Sequence, residues 1–170
     1  SSDLIAGARP GLYAITLTGA ERSLTYWRSD AAARQLASDP AALAESLAAR
    51  ALAYFSGITL AILEPDARQT LFGALATARG RGSLIAFDPN YRPRLWASAE
   101  AAREAFSQAL ALADIALPTF PDEQALYGDT AMETTARRME AAGAGEIVVK
   151  DGPSPALLFG GGASRRLPAM

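Results

Sequence analysis

From residue 52 onward the chain alternates short apolar runs with longer alanine-rich stretches, and this rhythm restricts its fold more than any other feature. The apolar runs fall at residues 52–55, 84–87, 115–117 and 147–149, and stretches with helical character lie near 66–79, 98–113 and 130–142. Such alternation is the sequence form of βαβ units, whose right-handed crossovers build a parallel sheet flanked by helices. Residues 155–159 supply a further strand. The predicted class is α/β, a mostly parallel sheet with helices on both faces.

The first thirty residues have a different character. Residues 12–17 and 24–28 are strand-like and separated by a polar turn containing Gly19, which predicts an antiparallel hairpin. Ser29 or Asp30 can cap a short helix over 31–36, and Asp39-Pro40 opens another through 49. The expected division is a hairpin segment over 1–30 and an α/β core over 31–170.

A chain of 170 residues, half of them apolar, can bury roughly 70% of the surface its unfolded form exposes. The formal charge of −2 is spread over interspersed acids and bases, so no nucleic-acid or membrane-surface partner is expected. No apolar run approaches the roughly 20 residues of a membrane span, and SSDLIAGARP has no signal-peptide pattern. The expected location is the cytoplasm. Cysteine and histidine are both absent, which removes thiol catalysis, disulfides, histidine bases and the usual zinc sites from this stretch. Chemistry must come from carboxylates, hydroxyls, Arg, Lys, backbone amides or residues outside it.

Ligands of open parallel sheets bind beyond the carboxyl ends of the strands. The residues to read first are therefore Ser56-Gly57-Ile58, Asp88-Pro89-Asn90-Tyr91-Arg92, Pro118-Thr119 and Lys150-Asp151-Gly152. Any one such cluster is ordinary loop composition; four in line suggest a site. In DPNYRPR, two prolines stiffen a loop that presents guanidinium groups suited to carboxylate or phosphate oxygens. The alternative is that Arg92 or Arg94 pairs with a surface acid such as Glu100. In the hairpin, Tyr26 and Arg28 are two apart and share a face, with Trp27 on the other and Tyr13 able to join the first.

Other signals are set aside. Gly143 to Gly145 serve a helix end, and Gly160 to Gly162 lack the Lys-Ser/Thr pair and helix of a phosphate loop. Asp122-Glu123 suits the first turn of a helix, where acids are expected from the dipole.

Several segments occur in an order and spacing that resemble ribokinase-like carbohydrate kinases, in particular the bacterial 2-keto-3-deoxygluconate kinase branch. They are Gly11 to Tyr13, Glu21 to Ser23, Tyr26 to Arg28, Ser56 to Ile58, Asp88 to Trp96, Ala116 to Thr119 with Asp122-Glu123, and Val148 to Gly152. The resemblance implies that the hairpin is a β-lid; its other face carries apolar side chains such as Trp27, which invites burial against a second lid, so a homo-oligomer through the lid is expected. The resemblance also implies ATP and Mg2+ as cofactors and 2-keto-3-deoxygluconate as substrate, phosphorylated to the 6-phosphate. Tyr13, Tyr26, Arg28, Ile58 and Arg92 would contact the sugar acid; Asn90, Arg92, Lys150 and Gly152 would face the nucleotide. A fructokinase or an inactive sugar-acid or nucleotide-binding module are the alternatives. The relatives' magnesium-related Asn-x-x-Glu motif reads Thr119-Phe-Pro-Asp122 in this chain, so no metal ligand is assigned. The catalytic base and anion hole are expected beyond Met170.

Overall fold

The computed structural model describes residues 5, 7–19 and 21–168, with side chains of 21–24 excepted; Met170 lies outside the described residues. Strands β1 (Leu12–Thr18) and β2 (Glu21–Trp27) form a two-stranded antiparallel sheet of their own. Gly19 takes the positive φ of 65° that the turn needs. Directly paired residues share a face, so Tyr13 and Tyr26 lie together on one side and Leu12 and Trp27 on the other. Every side chain of β1 is exposed.

Beyond the hairpin, residues Ala32–Gln35 form a 3-10 turn rather than an α-helix. Helix α1 (Pro40–Leu47) begins as its sequence predicts: Pro40 opens it and the Asp39 carboxylate accepts from the amides of Ala41 and Ala42, both at 3.0 Å.

The core runs β3 (Leu52–Ser56), α2 (Gly57–Ile62), α3 (Pro65–Gly80), β4 (Leu84–Asp88), α4 (Ala99–Leu112), β5 (Ile115–Ala116), α5 (Phe120–Tyr127), α6 (Met132–Ala141), β6 (Glu146–Asp151), β7 (Ser154–Gly160) and β8 (Ala163–Leu167). Its six strands lie side by side in chain order. β3 to β6 are parallel, and β7 and β8 return antiparallel. The predicted class, a mostly parallel α/β sheet with a separate antiparallel hairpin, is the one observed; the helices, expected on both faces, cover one face of the sheet among the described residues, and Leu52, Tyr54 and Leu84 stay exposed on the other.

Sequential order combined with right-handed crossovers gathers α3, α4 and α6 on one face. That face carries Ala53, Phe55, Ile85, Phe87, Ala116, Ile147, Val149, Leu157 and Phe159, all nearly inaccessible. Phe106 of α4 meets Phe87 edge-on, with ring centroids 5.5 Å apart. Alternate residues point the other way, and on β3 and β4 Leu52, Tyr54 and Leu84 are 48%, 57% and 50% exposed.

Three elements go beyond the sequence pattern. Residues 56–58, read as a loop, run from the end of β3 straight into the first turn of α2, with Ser56 Oγ accepting from the Ile58 amide at 3.2 Å. Helix α5 fills the stretch between β5 and α6. The triple glycine turns β7 into β8, with Gly161 and Gly162 at positive φ, which agrees with setting it aside as a phosphate loop.

Candidate functional site

The parallel strands end together, and their ends bring distant residues into one row. Ser56 pairs with Asp88 across β3 and β4, Leu117 donates its amide to Phe87 at 2.9 Å, and the Lys150 amide donates to the Pro118 carbonyl at 2.8 Å. A bridge joins Thr119 to Lys150. All four clusters singled out from the sequence therefore lie along the carboxyl edge of β3 to β6.

Asp88 is the hub of this edge. Its Oδ2 accepts from Lys150 Nζ at 3.1 Å and from the Tyr54 hydroxyl at 3.4 Å, while its Oδ1 is buried without a partner. Arg92 Nη1 lies 3.2 and 3.4 Å from the two oxygens of Asp122. Burial raises the Asp122 carboxyl above its ordinary range and outweighs the opposing pull of Arg92; Asp88 pushes the same way and Lys150 opposes it. Two carboxylates and two cations thus face one another, so an anion entering here meets Arg92 and Lys150 already held in position.

The DPNYRPRLW loop is built from anchors and presenters. Tyr91 and Trp96 are buried and meet Phe106 edge-on, with centroids 6.4 and 5.5 Å apart. Between them Arg92 is exposed. Asn90 holds a φ of 39°, a left-handed conformation that asparagine tolerates better than most residues. Gly57 lets this loop approach: a Cβ there would lie 1.9 Å from the Pro89 carbonyl oxygen and 2.8 Å from the Phe106 ring.

The predicted site residues fall into two groups. Asn90, Arg92 and Lys150 share the sheet edge, and Ile58 is half-buried in the first turn of α2 beside it. Gly152 sits in the tight turn from β6 to β7 at a φ of 52°. Tyr13, Tyr26 and Arg28 form the second group, on the hairpin. The two tyrosine rings are 6.4 Å apart, and the Arg28 guanidinium lies 4.2 Å over the Tyr26 ring. Among the described residues no hydrogen bond or ion pair joins the two groups.

Arg92 does pair with an acid, as the surface-pairing alternative expected, but that acid is Asp122; Glu100, the example named, pairs with Arg103 at 3.1 Å. The Asp88–Lys150 contact spans 62 residues and left no local signal in the sequence. Sequence reading also passed over Glu123, whose acidic neighbour made it look like an ordinary first-turn residue; it is fully buried. No group of three or more acidic side chains among the described residues could hold a metal ion directly.

A mostly parallel sheet whose carboxyl edge presents guanidinium and ammonium groups beside carboxylates, with an antiparallel hairpin preceding it, is an α/β arrangement with its polar groups where ligands of open sheets bind. The pfkB family carbohydrate kinase profile matches residues 3–170, and the chain belongs to that family. It is 45% identical over 152 residues to the 2-dehydro-3-deoxygluconokinase of Escherichia coli (strain K12), covering 88% of this chain and 49% of that protein. The crystal structure of the PfkB protein from Polaromonas sp. JS666 aligns with a TM-score of 0.74 at 30% identity, over 92% of this chain and 52% of that one. Fructokinase with bound ATP from Xylella fastidiosa aligns at a TM-score of 0.78 and 23% identity, over 96% and 52% of the two chains, a likeness of fold. The chain spans about half the length of these relatives.

Proposed function

We propose that this chain is part of an enzyme that transfers the γ-phosphoryl group of ATP to the 6-hydroxyl of 2-keto-3-deoxygluconate. The observation that carries the reading is the row Asp88, Lys150, Arg92 and Asp122 along one sheet edge, in a chain 45% identical to an enzyme named for that sugar acid. ATP is the phosphate donor of the reading, supported by the ATP-bound relative of the same fold.

In the reaction the sugar hydroxyl oxygen bonds to the γ-phosphorus as the bond to the bridging oxygen breaks, and the hydroxyl proton leaves to a base. That base belongs to residues outside 1–170 in this reading. Lys150 and Arg92 attract the phosphates, Asn90 adds a side-chain donor, and the turn at Gly152 brings backbone close to the nucleotide. The hairpin brings Arg28 to the sugar-acid carboxylate, with Tyr13 and Tyr26 as the wall beside it. Ile58 supplies an apolar contact on the opposite side. Catalysis of this kind is mainly positioning and charge stabilisation.

Magnesium fits this edge through water rather than through a carboxylate cage, because the partnerless Asp88 Oδ1 is an acceptor suited to a metal-bound water. Bound, the ion neutralises charge on the transferring phosphoryl group. Residues 1–30 form the lid and 31–170 part of the core in this reading. A cytoplasmic location agrees with it, and no helix among the described residues is long and apolar enough to cross a membrane.

The test is product identity. The full-length enzyme, given Mg-ATP and 2-keto-3-deoxygluconate, should yield ADP and a sugar phosphorylated at carbon 6, identified by phosphorus NMR. Arg92→Ala should lower kcat/KM by about 30-fold, the lower end expected for truncating one partner of a charge pair when that partner is half exposed. Absence of a 6-phosphate, with fructose phosphorylated instead, would overturn the reading.

A further inference from the structure

The first turn of α5 has two acidic faces with different surroundings. Asp122 faces outward to Arg92, whereas Glu123 is 0% exposed and faces inward to Arg138 of α6. Arg138 Nη2 donates to Glu123 Oε2 at 2.8 Å and to Asp129 Oδ2 at 2.6 Å, and its guanidinium lies 3.6 Å from the Tyr127 ring centroid. Asp129, in the α5–α6 connection, also accepts from the buried Thr135 hydroxyl at 2.7 Å. Arg103 of α4 holds the end of α5 by donating to the Leu126 carbonyl at 2.6 and 3.0 Å. Arg138 thus ties the start of α5, through Glu123, to its exit, through Asp129.

A buried cluster of one cation and two carboxylates is a poor source of stability, since desolvating three charges offsets most of their attraction. Its value is geometric. Helix α5 is only eight residues long and Thr119 gives it no side-chain cap, and the Glu123–Arg138 pair is the side-chain ion pair that holds the buried side of its first turn. The same turn is joined at Thr119 to Lys150 of the sheet edge. Rotating Glu123 away from Arg138 would swing Asp122 off Arg92, because the two acids are consecutive on one rigid turn.

We propose that Arg138 is a positioning residue of the kinase site: by clasping Glu123 and Asp129 it fixes the first turn of α5, and so holds Asp122 against Arg92. Arg138 touches none of the residues assigned to sugar or nucleotide. The kinetic part of this inference rests on the function proposed above; the structural part does not.

The test uses Arg138→Lys in the full-length enzyme, a variant that keeps the positive charge but loses the planar fork and the stacking on Tyr127. Hydrogen exchange should rise in residues 118–124 while α4 stays protected. The KM for the sugar acid should rise about 2- to 30-fold, the range expected for residues coupled to a site without touching it, with kcat changed less. In an Asp122→Asn background the same substitution should change KM by less than about 2-fold, because the linkage is already cut. Thr135→Val, which removes only the hydroxyl donated to Asp129, should shift exchange and KM in the same direction by less, and serves if Arg138→Lys folds poorly. Unchanged exchange in 118–124, or a KM effect that adds fully to Asp122→Asn, would overturn the proposal and leave Arg138 a purely structural residue. If the parent enzyme does not phosphorylate the sugar acid, the proposed function fails, and the exchange experiment still decides whether Arg138 fixes α5.

Discussion

Glu123 shows how far one buried carboxyl can depart from its solution behaviour. Burial pushes it up from the ordinary 4.5 to about 7, against the lowering effect of Arg138, and the negative charges of Asp129 and Asp122 add to the rise. Burial opposes the charge on Arg138, but its hydrogen bonds to Asp129 and Glu123 prevail and raise it above its ordinary value. A carboxyl raised by folding contributes stability that is complete below its unfolded value and is lost as pH climbs through the folded one. For Glu123 that window runs from about 4.5 to about 7. Wild type should therefore lose stability relative to Glu123→Gln between pH 5 and pH 8, by up to roughly 1.4 kcal/mol for each unit of the shift. Urea unfolding at both pH values checks this, and equal losses in the two proteins would contradict it.

At the scale of elements, the junction between β3 and α2 shows what sequence could and could not deliver. Apolar spacing and the helical stretches located most strands and the longer helices, because burying one face of each leaves a periodic trace. The alignment of the clusters at residues 56, 88, 119 and 150 was legible because topology alone places strand ends together. Residues 56–58 were read as loop because six residues are too few for a periodic signal, and Ser56 acts as both strand end and helix cap. The partners of Asp88 and Arg92 were not legible, since both contacts depend on register between segments distant in the chain. Gly57 is the residue on which this junction turns. Gly57→Ala should cost about 1–3 kcal/mol or more as an overpacking change, and should also weaken activity by displacing Pro89 and the Asn90 to Arg92 loop. Thermal unfolding and kcat/KM of the full-length variant measure both; an unchanged midpoint would mean that the Pro89 approach is not as close as described.

For the whole molecule, the proposed function has the hairpin and the sheet edge act together, since Tyr13, Tyr26 and Arg28 lie on the one and Ile58, Asn90, Arg92, Lys150 and Gly152 along the other. The hairpin face opposite Tyr13 and Tyr26 carries Leu12 and Trp27 at 63% and 56% exposure. Large apolar side chains on an open ribbon favour burial against a second copy, and we expect a homodimer through this face. Trp27→Asp should shift the full-length enzyme toward monomer in light scattering, and an unchanged mass would place any interface elsewhere. The central claim is that Arg28 and Arg92 from these two parts recognise an anionic sugar. The most direct measurement is the ratio of kcat/KM for 2-keto-3-deoxygluconate to that for fructose, in wild type and in Arg28→Ala. The account predicts a ratio well above one that falls about tenfold or more in the variant, because only the acid loses a charge partner. A ratio that stays the same, with both substrates weakened equally, would contradict it.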